Sequence, residues 1–531
     1  MPGSRRRIRR AATIASILLL LVVAGFGSVD PVVADGPWPA QSFPPGPGGA
    51  PAADSPPAGS RAPSPVASPV ASSAAVGAAP PMIPGPGGAA ATSRSRQLPP
   101  PPQLRSPSPA TTPAAVAPTA RAALRVPGRV VAVKPIQVNP ASITFYGRGY
   151  GHGVGMSQYG ARGRALAGQA AATILAHYYQ GTTSSTVSPG APVRVLVLAP
   201  SAPTAAKPIV LHGRGAPFTI DGLSGTFPVG ARVEVWPSAA GFAIQVNSAG
   251  GVLLWTTTTS AADIRLRSGP DPGRIEVDTK PVADDTYRGV IRVVRTTAGV
   301  IAVNELGLDL YLLGVVPAEM PSSWPAEALK VQAIAARSYA ENHVHIGVGA
   351  YDLFDDTRSQ VYHGALGEAA ATNSSVAATA GQVLRSGSAI INALYHSADG
   401  GATEDNENVF TSATGQIVAG PASYLRGSSD RDPNGVSYDS SSPHATWHTA
   451  TYSLAQLSAI FASDSRTNVG ALSALDLSDK GVSGRPIKVI LTGSLGSKTV
   501  SAEVFREVFN AGSPPTDPYM WSILIDTVPI P

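Results

Sequence analysis

The 531-residue sequence contains no cysteine. Disulfide bonds, thiolate nucleophiles and thiolate-held metal ions are therefore excluded. Charged residues make up only 14% of the chain, and the net charge is +5. Five arginines among the first ten residues account for that whole excess. Without them acidic and basic residues balance, so the charge gives no reason to expect a nucleic-acid partner.

Several familiar functional motifs are also missing. The sequence has no Walker A motif, no G-x-S-x-G elbow and no H-E-x-x-H zinc motif. Two histidine pairs, His343/His345 and His444/His448, have ligand-like spacings but no matching carboxylate. We therefore predict no metal site.

The first 34 residues have the pattern of a secretory signal. A basic stretch precedes an apolar run from Ala11 to Phe26, which is shorter than the roughly 20 residues of a membrane span. We expect residues 1–34 to be a signal peptide, cleaved near Ala24–Ser28 or Val32–Ala34, and the protein to be secreted to the cell envelope. An uncleaved segment would instead anchor it there.

Residues 35–139 are rich in Pro, Ala, Ser and Gly. Such a composition cannot bury enough apolar surface to offset the entropy of ordering, so we predict a disordered tether. It would act as a plain spacer or provide reach through a cell wall. The folded part is predicted to be residues 140–531, with a β-rich subregion at 190–300 where short β-like runs alternate with turns.

The stretch "GRGYGHGVGMSQYGARG" (147–163) has glycine at nearly every second position. In an extended strand the glycines would share one face, and Arg148, Tyr150 and His152 would share the other. The bare face would allow a ligand or another backbone to approach closely. A glycine-rich turn without a ligand is the alternative.

The segment "NELGLDLYLLGVVPAEMPSSWPAEALKVQAIAARSYAENH" (304–343) predicts a buried strand, a tight loop and a long Ala-rich helix. Pro317 and Pro321 bracket Glu319, which would hold that carboxylate on a rigid loop. Such a carboxylate is a candidate functional group.

Polar side chains recur at a spacing of seven residues along the predicted helix. Lys330 and Arg337 share one face, and Gln332 and Tyr339 are spaced in the same way. Charges at this spacing often serve only solubility.

Further downstream, "IINALYHSADGG" predicts an apolar strand that delivers His396 to a loop, a common place for site residues. A lone histidine is more often structural. The segment "SGRPIKVILTGSLGSKTVSAEVFREVF" predicts a β-hairpin and then a helix that begins near Ser501.

Together these segments resemble the stage II sporulation protein D / amidase-enhancer family of bacterial cell-wall proteins. The resemblance lies in "YLLGVVPAEMPSSWPAEALKVQAIAARSYA", "YHSADGGATED", "SGRPIKVILTG" and "GRGYGHGVGMSQYGA", and it covers most of residues 143–531. It implies an α+β fold, a β-rich mixed domain with an Ala-rich active-site helix and a saccharide cleft. Enzymes of this family are lytic transglycosylases that cleave peptidoglycan glycan strands, preferring strands without stem peptides.

By the same resemblance, Glu319 is the catalytic acid. One carboxyl group can serve as acid and then as base, because the product is a 1,6-anhydro sugar and no water is consumed. A position just before a helix N-terminus would favour the ionised form of Glu319, whereas a general acid needs a raised pKa. The resemblance assigns substrate binding to Lys330, Gln332, Arg337, Tyr339, His396, Ser397, Tyr150, His152 and Gln158.

The sequence departs from the family pattern in two ways. The glycine-rich motif comes first instead of last, which predicts a circularly permuted domain with residues 522–528 beside 143–150, and with Tyr150 and His152 opposite Glu319. Some members bind zinc through cysteines; none is present here, so we expect no zinc and no other cofactor.

The expected partners are peptidoglycan glycan strands and a cell-wall amidase, with no nucleic acid. The main alternative function is a non-catalytic, wall-binding activator of an N-acetylmuramoyl-L-alanine amidase. A secreted zinc hydrolase is a third reading.

Overall fold

The computed structural model of the protein describes residues 142–530, apart from 189, 281 and 345–348. The predicted signal peptide (1–34) and tether (35–139) lie outside these residues. The described part is a mixed α+β structure rich in strands, as predicted. No helix in it is both long and apolar enough to cross a membrane.

The helices of the described part are α1 (Gln158–Leu166), α2 (Ala171–Tyr178), α3 (Leu308–Glu319), α4 (Ala326–His343), α5 (Ala370–Ala378), α6 (Asn406–Val409), α7 (Leu454–Ala462) and α8 (Ala502–Gly512). The strands of its first half are β1 (Ser142–Gly147), β2 (Met156–Ser157), β3 (Thr183–Thr186), β4 (Val193–Ser201), β5 (Ile209–Arg214), β6 (Thr219–Ile220), β7 (Arg232–Ser238), β8 (Gly241–Asn247), β9 (Leu253–Thr259), β10 (Asp263–Arg267), β11 (Arg274–Val277), β12 (Thr286–Tyr287), β13 (Val290–Thr296) and β14 (Gly299–Leu306). Those of its second half are β15 (Leu353–Phe354), β16 (Gln382–Ser386), β17 (Ala389–Ile390), β18 (Tyr395–His396), β19 (Trp447–Ser453), β20 (Leu472–Asp476), β21 (Lys488–Gly493), β22 (Gly496–Ser501) and β23 (Ile525–Asp526).

Two six-stranded sheets form the β-rich subregion, in the orders β15-β4-β14-β13-β10-β6 and β12-β11-β5-β7-β8-β9. All their contacts are antiparallel except the pairing of β15 with β4. Buried side chains of both sheets belong to one hydrophobic cluster, which also takes in α3. A second cluster is built from the glycine-rich segment, α1, α2, α7, α8 and the sheets β19-β1-β23 and β20-β21-β22.

Helix α4 lies between these two clusters. Eleven of its 18 residues are buried. Leu329 and Ile334 pack into the second cluster, whereas Ala333, Ala336 and Ala340 pack into the first. Small alanine side chains allow neighbouring elements to approach this helix from several sides, which explains its Ala-rich composition.

Residues 308–319 were expected to form a strand and a loop, and this was wrong. They form helix α3, which ends at Glu319. A short apolar run does not distinguish a buried strand from a buried helix. Pro321 restricts the residue before it to an extended conformation, and Met320 accordingly ends the helix at φ −132° and ψ 134°.

The glycine-rich segment is also not a regular extended strand. Strand β1 ends at Gly147, and Gly149, Gly151, Gly153 and Gly155 all have positive φ, between 72° and 102°. The expected close backbone approach is nevertheless present. A Cβ atom on Gly155 would lie 2.1 Å from the carbonyl oxygen of Leu394.

The predicted neighbours of the permuted arrangement do lie side by side. Strand β1 pairs with β23, so that Tyr146 lies opposite Asp526 and Gly147 opposite Ile525. On its other edge β1 pairs with β19. The predicted C-terminal hairpin is also confirmed as β21 and β22, followed by α8, whose N-cap is Ser501.

Replacing Gly155 with Ala should destabilise the fold by at least about 2 kcal/mol, because a positive φ and a backbone clash coincide there. Gly168 provides a matched control, since it has φ +84° but nothing within 4 Å of an added Cβ atom. Chemical unfolding of Gly155→Ala and Gly168→Ala measures the difference. Equal losses in the two variants would contradict the close-approach explanation.

Candidate functional site around Glu319

The Glu319 carboxylate is fixed by donors from two distant segments. Its Oε1 atom accepts a hydrogen bond from the backbone N–H of Val361 at 2.9 Å. Its Oε2 atom accepts one from the side-chain amide of Gln158 at 3.1 Å. The same amide donates to the backbone carbonyl of Glu319 at 3.1 Å. Both donors are uncharged, so the carboxylate has fixed hydrogen bonds without an ion pair.

The glycine-rich segment places Gln158 beside Glu319. Strand β2 pairs in parallel with β18, with Met156 opposite Tyr395 and Ser157 opposite His396. Ser157 then caps α1, because its hydroxyl accepts the N–H of Gly160 at 3.0 Å. Gln158 is the first residue of that helix and is buried. The cap therefore fixes the direction from which Gln158 reaches the carboxylate.

A chain of polar groups lies on another side of Glu319. The hydroxyl of Tyr311 bonds to Gln360 Oε1 at 3.3 Å, and the Gln360 amide donates to the Tyr395 hydroxyl at 3.0 Å. The Tyr395 hydroxyl lies beside the Glu319 carboxylate and lowers its pKa. Because Gln360 donates to Tyr395, the tyrosine hydrogen remains available for the carboxylate.

Burial raises the pKa of Glu319 above its ordinary value. Although the residue is partly exposed, the surrounding protein encloses its carboxyl group. The hydrogen bonds from Val361 and Gln158, the nearby Tyr395 hydroxyl and the charge of His363 oppose the rise without cancelling it. The end of α3 adds to the rise, since a helix C-terminus carries partial negative charge. The expected effect of a helix N-terminus is therefore wrong: α4 begins only at Ala326.

Two other predicted residues lie near Glu319. Gln332 is fully buried, and its Oε1 atom accepts a 3.4 Å hydrogen bond from Gln158. Its Nε2 atom is buried without a protein partner. Tyr339 stacks on His343 with ring centroids 4.1 Å apart. Burial raises the pKa of Tyr339 to about 12, and the neighbouring Glu319 charge adds to the rise.

The two predicted cations of α4 are directed elsewhere. Lys330 pairs with Glu327 at 2.7 Å on the half-exposed side of the helix. Arg337 is fully buried; it pairs with Asp309 and donates to backbone carbonyls, including that of Gln382. The structure therefore assigns Arg337 to the support of the core rather than to an exposed binding surface. The charge that lowers the pKa of Glu319 is that of His363 rather than that of either cation of α4.

The prediction that His396 lies in the site was wrong by one residue. Adjacent residues of a strand point to opposite faces, and in β18 it is Tyr395 that faces Glu319. His396 is buried on the other side, where its Nδ1 donates to the Val154 carbonyl at 3.2 Å. Burial lowers the pKa of His396 well below its ordinary value. Ser397 is half-buried, and its carbonyl accepts the N–H of Tyr159.

Tyr150 and His152 do not face Glu319 as predicted. The Tyr150 ring packs against His444 and Trp521, at centroid distances of 5.1 and 5.2 Å. His152 is buried; its Nε2 lies 3.0 Å from the Tyr395 carbonyl, and its Nδ1 accepts the N–H of Val154. It thus supports the backbone behind Tyr395. The positive φ angles of the glycines explain the difference, because they remove the simple alternation of faces.

Sequence reasoning missed Tyr395, Gln360 and the Val361 amide. Tyr395 adjoins a residue that was chosen, so considering both faces of the strand would have included it. Gln360 and Val361 lie in the irregular segment before α5 and have no sequence signal of their own.

One group of possible metal ligands occurs within the described ranges, away from Glu319. His212, Glu276 and Asp278 place ligand atoms within 4.8 Å of one another on the β-rich subregion. Glu276 is already held by Arg214 through two hydrogen bonds of 2.6 and 2.8 Å. A cation there would have to compete with that ion pair.

Residues 296–385 match the family model described as Stage II sporulation protein, SpoIID. This segment, which covers well under half of the chain, is therefore similar to the SpoIID family. The SpoIID segment includes Glu319, α4 and Val361, whereas the glycine-rich motif and Tyr395 lie outside it.

The chain is also similar to parts of several curated relatives. It is 40% identical over 108 residues to the amidase enhancer of Bacillus subtilis (strain 168), covering 20% of this chain and 14% of that protein. It is 34% identical over 130 residues to stage II sporulation protein D of the same organism, covering 21% of this chain and 37% of that protein. An uncharacterised protein of Brachyspira hyodysenteriae is 34% identical over 126 residues, covering 23% of this chain and 34% of the relative. The match thus spans well under half of each of these relatives.

His152 should make the fold sensitive to mild acid. Burial lowers its pKa to about 4, from an unfolded value of 6.5, so the unfolded chain binds the extra proton first and stability falls as pH drops below 6.5. Between pH 6.5 and 5 this costs about 2 kcal/mol. The His152→Asn variant keeps an acceptor for Val154 and should lose that part of the pH dependence in unfolding experiments. The exposed His448→Asn variant is the control; an unchanged pH dependence in His152→Asn would contradict the assignment.

Proposed function

We propose that this protein is a lytic transglycosylase of peptidoglycan glycan strands, secreted to the cell envelope, with Glu319 as general acid and then base. The observation that carries the proposal is the state of Glu319. It is a glutamate of the SpoIID segment with a raised pKa, enclosed by uncharged hydrogen-bond partners. A general acid needs a pKa above the ordinary value of a carboxyl group, and burial shifts the pKa of Glu319 in that direction.

In the proposed reaction, Glu319 donates its proton to the oxygen that links N-acetylmuramic acid to N-acetylglucosamine. The bond from that oxygen to muramic C1 breaks, and the muramic C6 hydroxyl attacks C1. The Glu319 carboxylate then accepts the proton of that hydroxyl. The products are a 1,6-anhydro-muramic end and a free glucosamine hydroxyl, and no water is consumed.

A single carboxylate suffices for this route. Glycosidases of the common two-carboxylate type need a second acid to activate water or form a covalent intermediate. The hydrogen-bond partners of the Glu319 carboxylate are a side-chain amide and a backbone N–H. After proton donation these donors stabilise the carboxylate, which supports its return to the role of base.

A non-catalytic activator of a cell-wall amidase is the second candidate. The observation in its favour is the 40% identity of 108 residues to a protein named amidase enhancer. In that function the Glu319 site would bind wall polymer and the amidase would perform the cleavage. Loss of the Glu319 carboxylate distinguishes the two functions.

The Glu319→Gln variant should fold normally but release anhydro-muramic ends at least about a hundredfold more slowly, since the general acid is lost. Mass spectrometry of digested glycan strands measures these ends. Glu327→Gln is the matched control, because Glu327 pairs with Lys330 on α4. Near-normal release by Glu319→Gln would exclude the catalytic role and favour amidase activation.

The Gln158→Met variant should extend activity to higher pH. Gln158 donates to the carboxylate and thereby lowers its pKa, so its removal raises the pKa of Glu319 further. A general acid works while protonated, and the alkaline limb of kcat/KM should therefore move upward. Lys330→Met is the control. A downward shift in Gln158→Met would contradict Glu319 as the titrating acid.

A further inference from the structure

A half-exposed surface of two aromatic rings and one arginine adjoins the Glu319 site. The rings of Tyr159 and Trp324 meet edge to face, with centroids 4.8 Å apart. The guanidinium of Arg162 lies 5.6 Å from the Trp324 ring centroid. We call these three residues the Arg162 surface.

Helix α1 places Arg162 one turn away from Gln158, the residue that contacts the Glu319 carboxylate. Gln158, which contacts that carboxylate, and Arg162 are four residues apart in α1 and so lie on the same face of the helix, about 6 Å apart along its axis. Trp324 lies in the short connection between α3 and α4 that begins directly after Glu319. A ligand that reaches the carboxylate could therefore extend over Arg162.

The Arg162 guanidinium is not engaged by an acid. No carboxylate of the described ranges lies within 4.0 Å of it, and its side chain donates a hydrogen bond of 2.7 Å to the Ser441 hydroxyl. Many other arginines of the fold, such as Arg164 and Arg194, are held by aspartates. A guanidinium with free donor capacity suits a carboxylate, which it can bind in a bidentate manner.

We propose that the Arg162 surface is a subsite for a carboxylate-bearing sugar. The aromatic faces of Tyr159 and Trp324 would pack against the apolar face of the ring, and Arg162 would bind the carboxylate. This inference rests on the proposed function for the identity of the glycan. There the carboxylate is the lactyl group of a muramic acid whose peptide has been removed. The carboxylates of an attached peptide are the other source of the same chemistry.

Binding experiments on the inactive Glu319→Gln background test this subsite without requiring catalysis. The probes are peptide-free glycan strands, the same strands with their carboxylates converted to methylamides, and peptide-bearing strands. Adding Arg162→Gln should weaken binding of the free-carboxylate strands about tenfold and leave binding of the amidated strands unchanged.

Arg295→Gln is the matched control, since Arg295 also lies over an aromatic ring, at 5.5 Å from Phe242, and donates to one carbonyl, but belongs to β13. Equal weakening for free and amidated strands, or none, would overturn the proposal. A loss confined to peptide-bearing strands would place the carboxylate in the peptide and overturn the assignment to the sugar. Release of anhydro ends by the wild-type protein is measured separately, so failure of the proposed activity remains distinguishable from failure of this subsite.

Discussion

The hydrogen bond between Gln158 and the Glu319 carboxylate joins segments 161 residues apart, and much of the architecture serves to hold it. Gln158 depends on the pairing of β2 with β18 and on the Ser157 cap. That pairing requires the backbone to pass against Leu394, where only a glycine fits. The run of glycines is thus explained by the delivery of one amide rather than by a row of ligand-binding side chains.

The pKa of Glu319 depends in part on the positions of the two cations of α4. Lys330 and Arg337 occupy the same helix but are paired with Glu327 and Asp309. A cation beside Glu319 would stabilise its ionised form and lower its pKa. Directing both cations elsewhere leaves burial as the main influence, supported by the C-terminal end of α3. An acid that must be protonated benefits when burial outweighs the remaining opposing influences, which include the charge of His363.

Sequence patterns predicted regular elements well where periodicity was clear. Short strands alternate with turns in the predicted β-rich subregion, the C-terminal hairpin is present as β21 and β22, and the pairing of β1 with β23 was expected from the order of motifs. Sequence patterns gave wrong predictions where the same residues fit two kinds of secondary structure. The apolar run before Glu319 fits a strand or a helix equally, and only tertiary packing decides between them. Likewise, His396 was chosen as the residue that the strand delivers to a loop, whereas the adjacent Tyr395 is the one that faces Glu319, because neighbouring residues of a strand point to opposite faces.

The irregular segment that carries Val361 completes the site because two hydrophobic clusters hold the residues around Glu319 in place. The first cluster holds α3 through Val315 and Val316, and the second holds Met320 directly after Glu319. The carboxylate therefore lies where the two cores meet. Gly314 allows the segment around Tyr362 to pack closely against α3, since an added Cβ atom would lie 2.5 Å from the Gly364 carbonyl oxygen. That close packing positions the Val361 N–H, and a sequence-local analysis could not have identified it because the contact spans 42 residues.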